Sequence, residues 1–207
     1  MLNITLNISS QKWLVVGGGQ VATRRTKKIL AANGAVKVIS PVVSKELEKI
    51  AKRTNKIKIL RRAYKYTDVR GMSFVVTCTN DKETNKKVVA DSRKMKIFVS
   101  NASDDQDSDF SFTSNFKLNK DVEISFSTGG KSPFFSKVAR ILFEKNLKKD
   151  LLKLYKFLKD VRKSNLNYQE LTSKIIDSGL LKKFEYTNEK NIDKIIKRLN
   201  REKTTHE

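Results

Sequence analysis

The sequence predicts an α/β protein built on a Rossmann-like parallel sheet. Short apolar runs alternate with segments of helical spacing as far as Ser100. These runs are apolar throughout, which is typical of parallel strands covered by helices on both faces. A glycine-rich turn at Gly17–Gly19 separates the first run from the first helix, as in dinucleotide-binding folds. Beyond Ser100 the pattern changes, and the sequence predicts a small β segment and then a helical C-terminal unit.

The elements of the first part follow in order from apolar runs and the glycine, proline and polar residues that bound them. Asn33 and Gly34 are typical of a helix C-terminus, and Pro41 stops the second strand. The predicted strands are Lys12–Val16, 35–40, Ile57–Leu60, 73–79 and 96–100, and the predicted helices are 20–33, 44–53 and 82–94. Two stretches of alternating polarity, 109–113 and 122–127, then predict a pair of β-strands. From Pro133 onward the spacing is helical.

Charge and composition limit the classes of function. Lys and Arg total 44 against 22 Asp and Glu, a formal charge of +22 that is spread along the chain. Such an excess favours nucleic acid, an anionic membrane surface or a small substrate with many carboxylates. With one cysteine, Cys78, and one histidine, His206, the chain can form no internal disulfide and no ordinary Cys/His zinc site, and no metal site is predicted. The absence of a long apolar run and of a secretory signal pattern predicts a cytoplasmic protein that does not span a membrane.

The turn Gly17-Gly18-Gly19-Gln20-Val21-Ala22 fits the pattern G-x-G-x-x-A between a strand and a helix. Gly17 allows a sharp turn and Gly19 allows a diphosphate to approach the backbone, where free N–H groups of the helix N-terminus bind it. The alternative is a glycine turn without a ligand. Ser40, followed by Pro41, stands where an acidic residue often binds the ribose, so the residues alone leave NAD and NADP open.

Three further turns carry candidate residues, each with a structural alternative. Thr79, Asn80 and Asp81 follow the fourth strand and either contact a cofactor or cap the next helix. Segment 103–109 holds four aspartates, which either include a group that takes a proton or meets a metal ion, or form a solvated acidic loop. A second glycine turn before Pro133 is either an anion site for a substrate carboxylate or an ordinary strand-to-helix connection; its residues are Thr128, Gly129, Gly130, Lys131 and Ser132.

The segments WLVVGGGQVATRR, VVTCTNDKETN and ISFSTGGKSPFFSKVAR, in this order, resemble the precorrin-2 dehydrogenases, including the N-terminal half of siroheme synthase. The resemblance covers about residues 1–148. It implies NAD-dependent oxidation of precorrin-2, a tetrapyrrole with eight carboxylates, to sirohydrochlorin, and a homodimer. In some members it also implies Fe²⁺ insertion, which stays open for this chain. The implied domains are an NAD-binding domain at 1–113, a dimerisation and substrate segment at 114–147 and a helical domain at 148–207.

The resemblance also implies roles for individual residues. The family's catalytic aspartate falls on Asp104 when counted from Asn101 and on Ser103 when counted back from Phe110. The implied cofactor contacts are Gly17, Gly19, Gln20, Val21, Ser40, Pro41, Val42, Thr79, Asn80 and Asp81.

Two other functions remain open from the residues. One is an NAD- or redox-sensing regulator of the same fold that binds nucleic acid, although the helical tail has no clear recognition-helix signature. The other is a dinucleotide oxidoreductase that acts on another tetrapyrrole or small acid.

Overall fold

A computed structural model describes residues 2–161, and the rest of the predicted helical unit, 162–207, lies outside the described residues. The chain divides into two compact units, Met1–Phe112 and Thr113–Glu207. Each unit is described by itself below.

The first unit is a five-stranded parallel sheet with helices between its strands, and it confirms the predicted α/β class. The strand order is β3-β2-β1-β4-β5, so the direction of the winding reverses between β1 and β4. The strands are β1 (Lys12–Val16), β2 (Ala35–Ile39), β3 (Ile57–Leu60), β4 (Phe74–Thr77) and β5 (Phe98–Asn101), and the helices are α1 (Gln20–Ala31), α2 (Lys45–Ala51) and α3 (Lys82–Lys94).

Both faces of this sheet are buried, as the continuous apolar runs predict. Trp13 and Val15 of β1 belong to the cluster that includes residues of α1 and α2. Their neighbours Leu14 and Val16 point the other way, into the cluster that contains Val88 of α3. The strand period of two therefore places helices on opposite faces and leaves the carboxyl ends of the strands free for loops.

The predicted strand at 109–113 is wrong. The first strand of the antiparallel pair is instead β6 (Ser114–Lys117), and it pairs with β7 (Glu123–Phe126), which lies inside the predicted 122–127. The alternation at 109–113 has another cause. The rings of Phe110 and Phe112 lie 5.7 Å and 6.0 Å from Trp13, so this extended segment covers the core of the first unit without joining a sheet.

The second unit begins with β6 and β7 and continues into one long helix, α4 (Pro133–Val161). The Oγ of Ser132 accepts a hydrogen bond from the backbone N–H of Phe135 at 3.3 Å, so Ser132 caps the helix. Pro133 takes the first position of the helix, where the helical spacing was predicted to begin. The ring of Phe143 lies 5.1 Å from that of Phe126 and packs the helix onto the strand pair. The helix is continuous across residues 147 and 148, where a domain boundary was predicted.

Candidate dinucleotide site

A cleft of about 340 Å³ opens at the carboxyl ends of β1, β2 and β4. Because the strand order reverses between β1 and β4, the connections after these strands leave on opposite faces and open a crevice between them. This is the place where open α/β sheets bind their ligands. The cleft is lined by Gly17, Gly18, Gly19, Ser40, Val42, Val43, Ser44, Cys78, Thr79 and Asn80.

The three glycines of the turn are needed for different reasons. Gly17 has a φ of +129°, and a Cβ atom there would lie 2.7 Å from the carbonyl oxygen of Cys78. At Gly18 a Cβ atom would overlap the carbonyl oxygen of Val42. At Gly19 a Cβ atom would meet no atom of the described residues within 4 Å. The protein itself therefore requires the first two glycines, whereas the space over Gly19 is open among the described residues.

Helix α1 begins at this turn without a cap. Gly19 occupies the N-cap position and offers no side chain, and the first turn contains no acidic residue. The carbonyl of Gly19 is satisfied by Thr23, whose N–H and Oγ1 both donate to it, at 3.0 Å and 2.9 Å. The first N–H groups, which include those of Gln20 and Val21, thus face the cleft end of the helix, where its dipole favours an anion.

The end of β2 forms the opposite wall. Ser40 donates its hydroxyl proton to the carbonyl of Val42 at 2.7 Å, so its oxygen remains an acceptor for another group. Pro41 is exposed, and the side chain of Val42 is 78% exposed at the mouth of the cleft. This wall therefore combines one hydroxyl oxygen with an apolar surface that is open to solvent.

After β4, the structure shows that the predicted helix cap is correct for Asp81. Its carboxylate accepts from the N–H groups of Glu83 at 3.1 Å and Thr84 at 3.2 Å. A hydrogen bond from the Thr84 hydroxyl, with smaller contributions from these N–H groups, lowers the pKa of Asp81 below its usual value. Thr79 and Asn80 line the cleft, whereas Asp81 is not among the lining residues.

Sequence reasoning missed Asn85, a residue of α3 that is 1% exposed. Its Oδ1 accepts from the hydroxyls of Thr77 at 2.6 Å and Thr79 at 2.8 Å. Its Nδ2 donates to the carbonyl of Thr79 at 3.0 Å and to Ser103 Oγ at 3.1 Å. Asn85 therefore joins the cleft wall after β4 to the loop after β5. An asparagine inside a predicted helix is unfavourable by propensity, which makes the position unusual but does not indicate its partners.

Ser103 and Asp104, the two candidates after β5, lie in different settings. The hydroxyl of Ser103 donates to Oδ1 of Asn101 at 2.7 Å and accepts from Asn85, so its orientation is fixed. Asp104 is exposed, and its Oδ1 accepts from the N–H of Gln106 at 3.0 Å. Neither residue lines the cleft itself.

The other aspartates of the acidic loop have structural partners. Arg93 of α3 pairs with Asp107 at 2.7 Å and lies 3.7 Å from Asp109. Asp109 also accepts from the N–H of Val99 at 2.9 Å. Asp104 is therefore the first carboxylate after β5, and two of the remaining three are held in ion pairs.

The second glycine turn lies in the second unit, between β7 and α4. Gly129 and Gly130 have φ values of +61° and +84°, a conformation that glycine adopts without strain. Thr128 Oγ1 accepts from the N–H of Ser132 at 2.9 Å, so its own proton remains available to an anion. The ammonium group of Lys131 is exposed beside it. The arrangement suits a carboxylate.

Cys78 is a small, partly buried residue at the edge of the core. Its thiol packs against the core of the first unit, and burial raises the pKa of Cys78 to about 12, so it is not a nucleophile at neutral pH.

Within residues 2–161, no three His, Cys, Asp or Glu side chains are grouped so that they could hold a metal ion. In the same part of the chain, no helix has the length and apolar character to cross a membrane.

Comparisons with known proteins agree with this geometry. The NAD_binding_7 family, described as "Putative NAD(P)-binding", matches residues 4–114, which is more than half of the chain. A siroheme synthase from Nitrosomonas europaea is 29% identical over 143 residues, or 69% of this chain. A precorrin-2 dehydrogenase from Priestia megaterium is 28% identical over 184 residues and is covered over 90% of its length.

The relatives differ in length. The chain spans only 30% of the N. europaea siroheme synthase and 22% of a multifunctional siroheme biosynthesis protein from Ruminiclostridium josui. A solved structure named "SirC, precorrin-2 dehydrogenase" superposes with a TM-score of 0.69 over 97% of this chain and all of that one, at 24% identity, and it has the same fold. These matches confirm the resemblance, and the chain belongs to the NAD(P)-binding family of the precorrin-2 dehydrogenases and the siroheme synthase N-terminal domains.

Proposed function

We propose that this protein oxidises precorrin-2 to sirohydrochlorin with NAD⁺ as the hydride acceptor, in the cytoplasm. The observation that carries the proposal is the cleft at the β1–β4 reversal, with its uncapped helix and the open space over Gly19. The chemistry comes from the relatives, because one that is named a precorrin-2 dehydrogenase is matched over nearly its whole length.

The residues that hold the dinucleotide follow from the walls of the cleft. The N–H groups of Gly19, Gln20 and Val21 bind the diphosphate at the start of α1, and Gly17 shapes the turn. On the β2 side, the oxygen of Ser40 would accept a hydrogen bond from the ribose, and the exposed apolar surface of Pro41 and Val42 would suit the adenine ring. Thr79 and Asn80, which line the cleft, would hold the nicotinamide half, and Asp81 supports them as the cap of α3. When bound, NAD⁺ supplies the hydride acceptor.

The oxidation removes a hydride and a proton, so a group on the protein has to receive the proton. We assign this role to Asp104, an exposed carboxylate without an ion pair among the described residues, and Ser103 is the alternative at this place. The hydroxyl of Ser103 is held between Asn85 and Asn101, which makes it better suited to orient a neighbour than to take a proton.

The charge of the protein suits the substrate. Precorrin-2 carries eight carboxylates, and a chain with a formal charge of +22 attracts such an anion over long range. In the second unit, the turn formed by Thr128, Gly129, Gly130, Lys131 and Ser132 binds one of these carboxylates through hydroxyl and ammonium groups.

The protein is proposed to be a homodimer that associates through its second unit. Helix α4 exposes Phe134 (78%), Phe135 (63%) and Leu142 (53%), which is an apolar surface of the kind that marks protein interfaces. We expect light scattering to give twice the 23.7 kDa of one chain, and Phe134→Lys to shift the protein toward that monomer mass. A wild-type monomer at micromolar concentration would contradict the dimer.

The function is tested by incubating the full chain with precorrin-2 and NAD⁺ and following NADH absorbance together with the spectrum of sirohydrochlorin. We expect both to rise together, at one NADH per sirohydrochlorin. A parallel reaction with Fe²⁺ asks whether siroheme follows. If no NADH forms and the protein binds DNA with an affinity that falls steeply with salt, the regulator is the correct alternative.

A further inference from the structure

Two adjacent arginines follow the glycine turn, and the structure separates them. Arg24 is exposed on α1, as most arginines are. Arg25 is partly buried, and its guanidinium carbon lies 4.4 Å from the centroid of the Phe112 ring. The two charges therefore cannot have the same role, although the sequence gives no reason to distinguish them.

The guanidinium of Arg25 is held in place but not neutralised. Phe112 packs beside Trp13 and Phe110, so the ring beneath the cation is fixed in the core. In the described part of the chain, Nε of Arg25 is buried without a hydrogen-bond acceptor, and no carboxylate forms an ion pair with the group. A cation that is withdrawn from water and left unpaired costs free energy unless an anion joins it.

Burial is also the main cause of a shift in the pKa of Arg25. Burial lowers this pKa below its usual value, and the positive charge of the neighbouring Arg24 lowers it further. The charges of Cys78 and Asp105 raise the pKa of Arg25, although neither residue forms an ion pair with it. An arginine nevertheless keeps its charge at neutral pH, so the group stays a cation.

The same neighbours indicate where the side chain lies. Cys78 lines the cleft, and Asp105 follows Asp104 in the loop after β5. Side chains of a helix lean toward its N-terminus, which for α1 is the glycine turn at the carboxyl edge of the sheet. Arg25 thus lies near Cys78 at the end of β4 and near the loop after β5, although it does not line the cleft itself, whereas Ser40 and Val42 line the β2 side.

We propose that Arg25 is an anion-binding residue of the substrate site and that its fork of N–H donors takes one carboxylate of the tetrapyrrole. This inference rests on the proposed function. The planar guanidinium matches a carboxylate in bidentate geometry, and the ring of Phe112 holds it at a fixed angle for that contact. A phosphate of the dinucleotide presents similar oxygens, and Cys78 lies beside the glycine turn, so the test measures binding of the dinucleotide and of the tetrapyrrole separately.

The test compares Arg25→Met with Arg25→Lys and with the exposed neighbour Arg24→Met in the full-length protein. Binding is measured separately for NADH and for uroporphyrin, a stable octacarboxylate porphyrin, and the KM for precorrin-2 is measured with saturating NAD⁺. For Arg25→Met we expect porphyrin affinity to fall about 10- to 100-fold, with NADH affinity within about twofold of wild type. Arg25→Lys should keep part of the porphyrin affinity, because lysine retains the positive charge but lacks the paired N–H donors of the guanidinium. Arg24→Met should leave the affinities for porphyrin and NADH near those of the wild type.

Thermal melting separates binding from a structural role. Because Met keeps the packing on Phe112 and removes an unpaired cation, Arg25→Met should melt at or above the wild-type temperature. A lower melting temperature with unchanged porphyrin affinity would show that Arg25 is structural and would overturn the inference. A loss of NADH affinity with porphyrin binding intact would overturn it in favour of a phosphate contact. If the wild-type protein oxidises precorrin-2 and Arg25→Met keeps the same KM, the role of Arg25 is wrong but the proposed function stands. If the wild-type protein is inactive, both the proposed function and the role of Arg25 are wrong.

Discussion

Replacing Gly19 with alanine is expected to weaken NAD binding at least about tenfold while leaving the fold intact. The backbone of Gly19 is extended, with φ of −83° and ψ of −161°, which alanine adopts without strain. Its Cβ atom would enter the open space over the turn and meet no described atom within 4 Å. The methyl group would therefore collide with the bound dinucleotide rather than with the described part of the protein. It would keep the diphosphate away from the N–H groups of α1.

The measurement is a titration with NADH beside a thermal melt. We expect the melting temperature of Gly19→Ala to stay within about 2 °C of wild type, because a change of less than about 0.5 kcal/mol is typical of an open position. The matched comparison is Gly18→Ala, where a Cβ atom overlaps the carbonyl oxygen of Val42, so that this variant loses stability as well as binding. Gln20→Ala keeps its backbone N–H and should bind NADH nearly as wild type does. An undiminished NADH affinity in Gly19→Ala would show that the diphosphate does not lie on this turn.

Much of the first unit could be predicted because its signals are local. Each strand is an apolar run bounded by glycine, proline or polar residues, and the left-handed Asn33, with φ of +67°, ends α1 where the Asn-Gly pair predicts. The error at 109–113 arose because alternation reports which side chains are buried and not whether a strand has a partner. Phe110 and Phe112 are partly buried and pack against Trp13, but their backbone joins no strand.

The candidate site was predictable to the extent that it is built from contiguous motifs. The glycine turn and the ends of β2 and β4 were found because parallel strands bring their carboxyl ends to one edge. Asn85 and Arg25 were missed or left unresolved because their importance depends on contacts across the fold. Asn85 reaches Ser103, eighteen residues away, and Arg25 lies over the ring of Phe112. Sequence spacing contains no information about such contacts.

Replacing Asp104 with asparagine is expected to lower kcat about 10²- to 10⁴-fold, the range for loss of a positioned proton acceptor. The substitution is nearly isosteric, and asparagine is as good an N-cap as aspartate, so the hydrogen bond from the N–H of Gln106 is kept. The loop therefore keeps its shape, and the melting temperature and the affinity for NADH should stay near wild type. The lost property is the ability to take a proton, and the rate of NADH formation from precorrin-2 measures it.

Two variants of the same loop act as controls. Asp107→Asn removes a carboxylate that pairs with Arg93, so it should affect stability more than kcat. Ser103→Ala removes the hydroxyl that accepts from Asn85 and donates to Asn101, and a positioning role predicts a loss of no more than about tenfold in kcat. A fall of several hundredfold in Ser103→Ala, with Asp104→Asn near wild type, would move the proton-handling role to the serine. Ser103 and Asp104 both follow the carboxyl end of β5, so a loss of activity in either variant would place the reacting carbon of the tetrapyrrole at that end of the sheet. Full activity in both variants would show that the reacting carbon lies elsewhere.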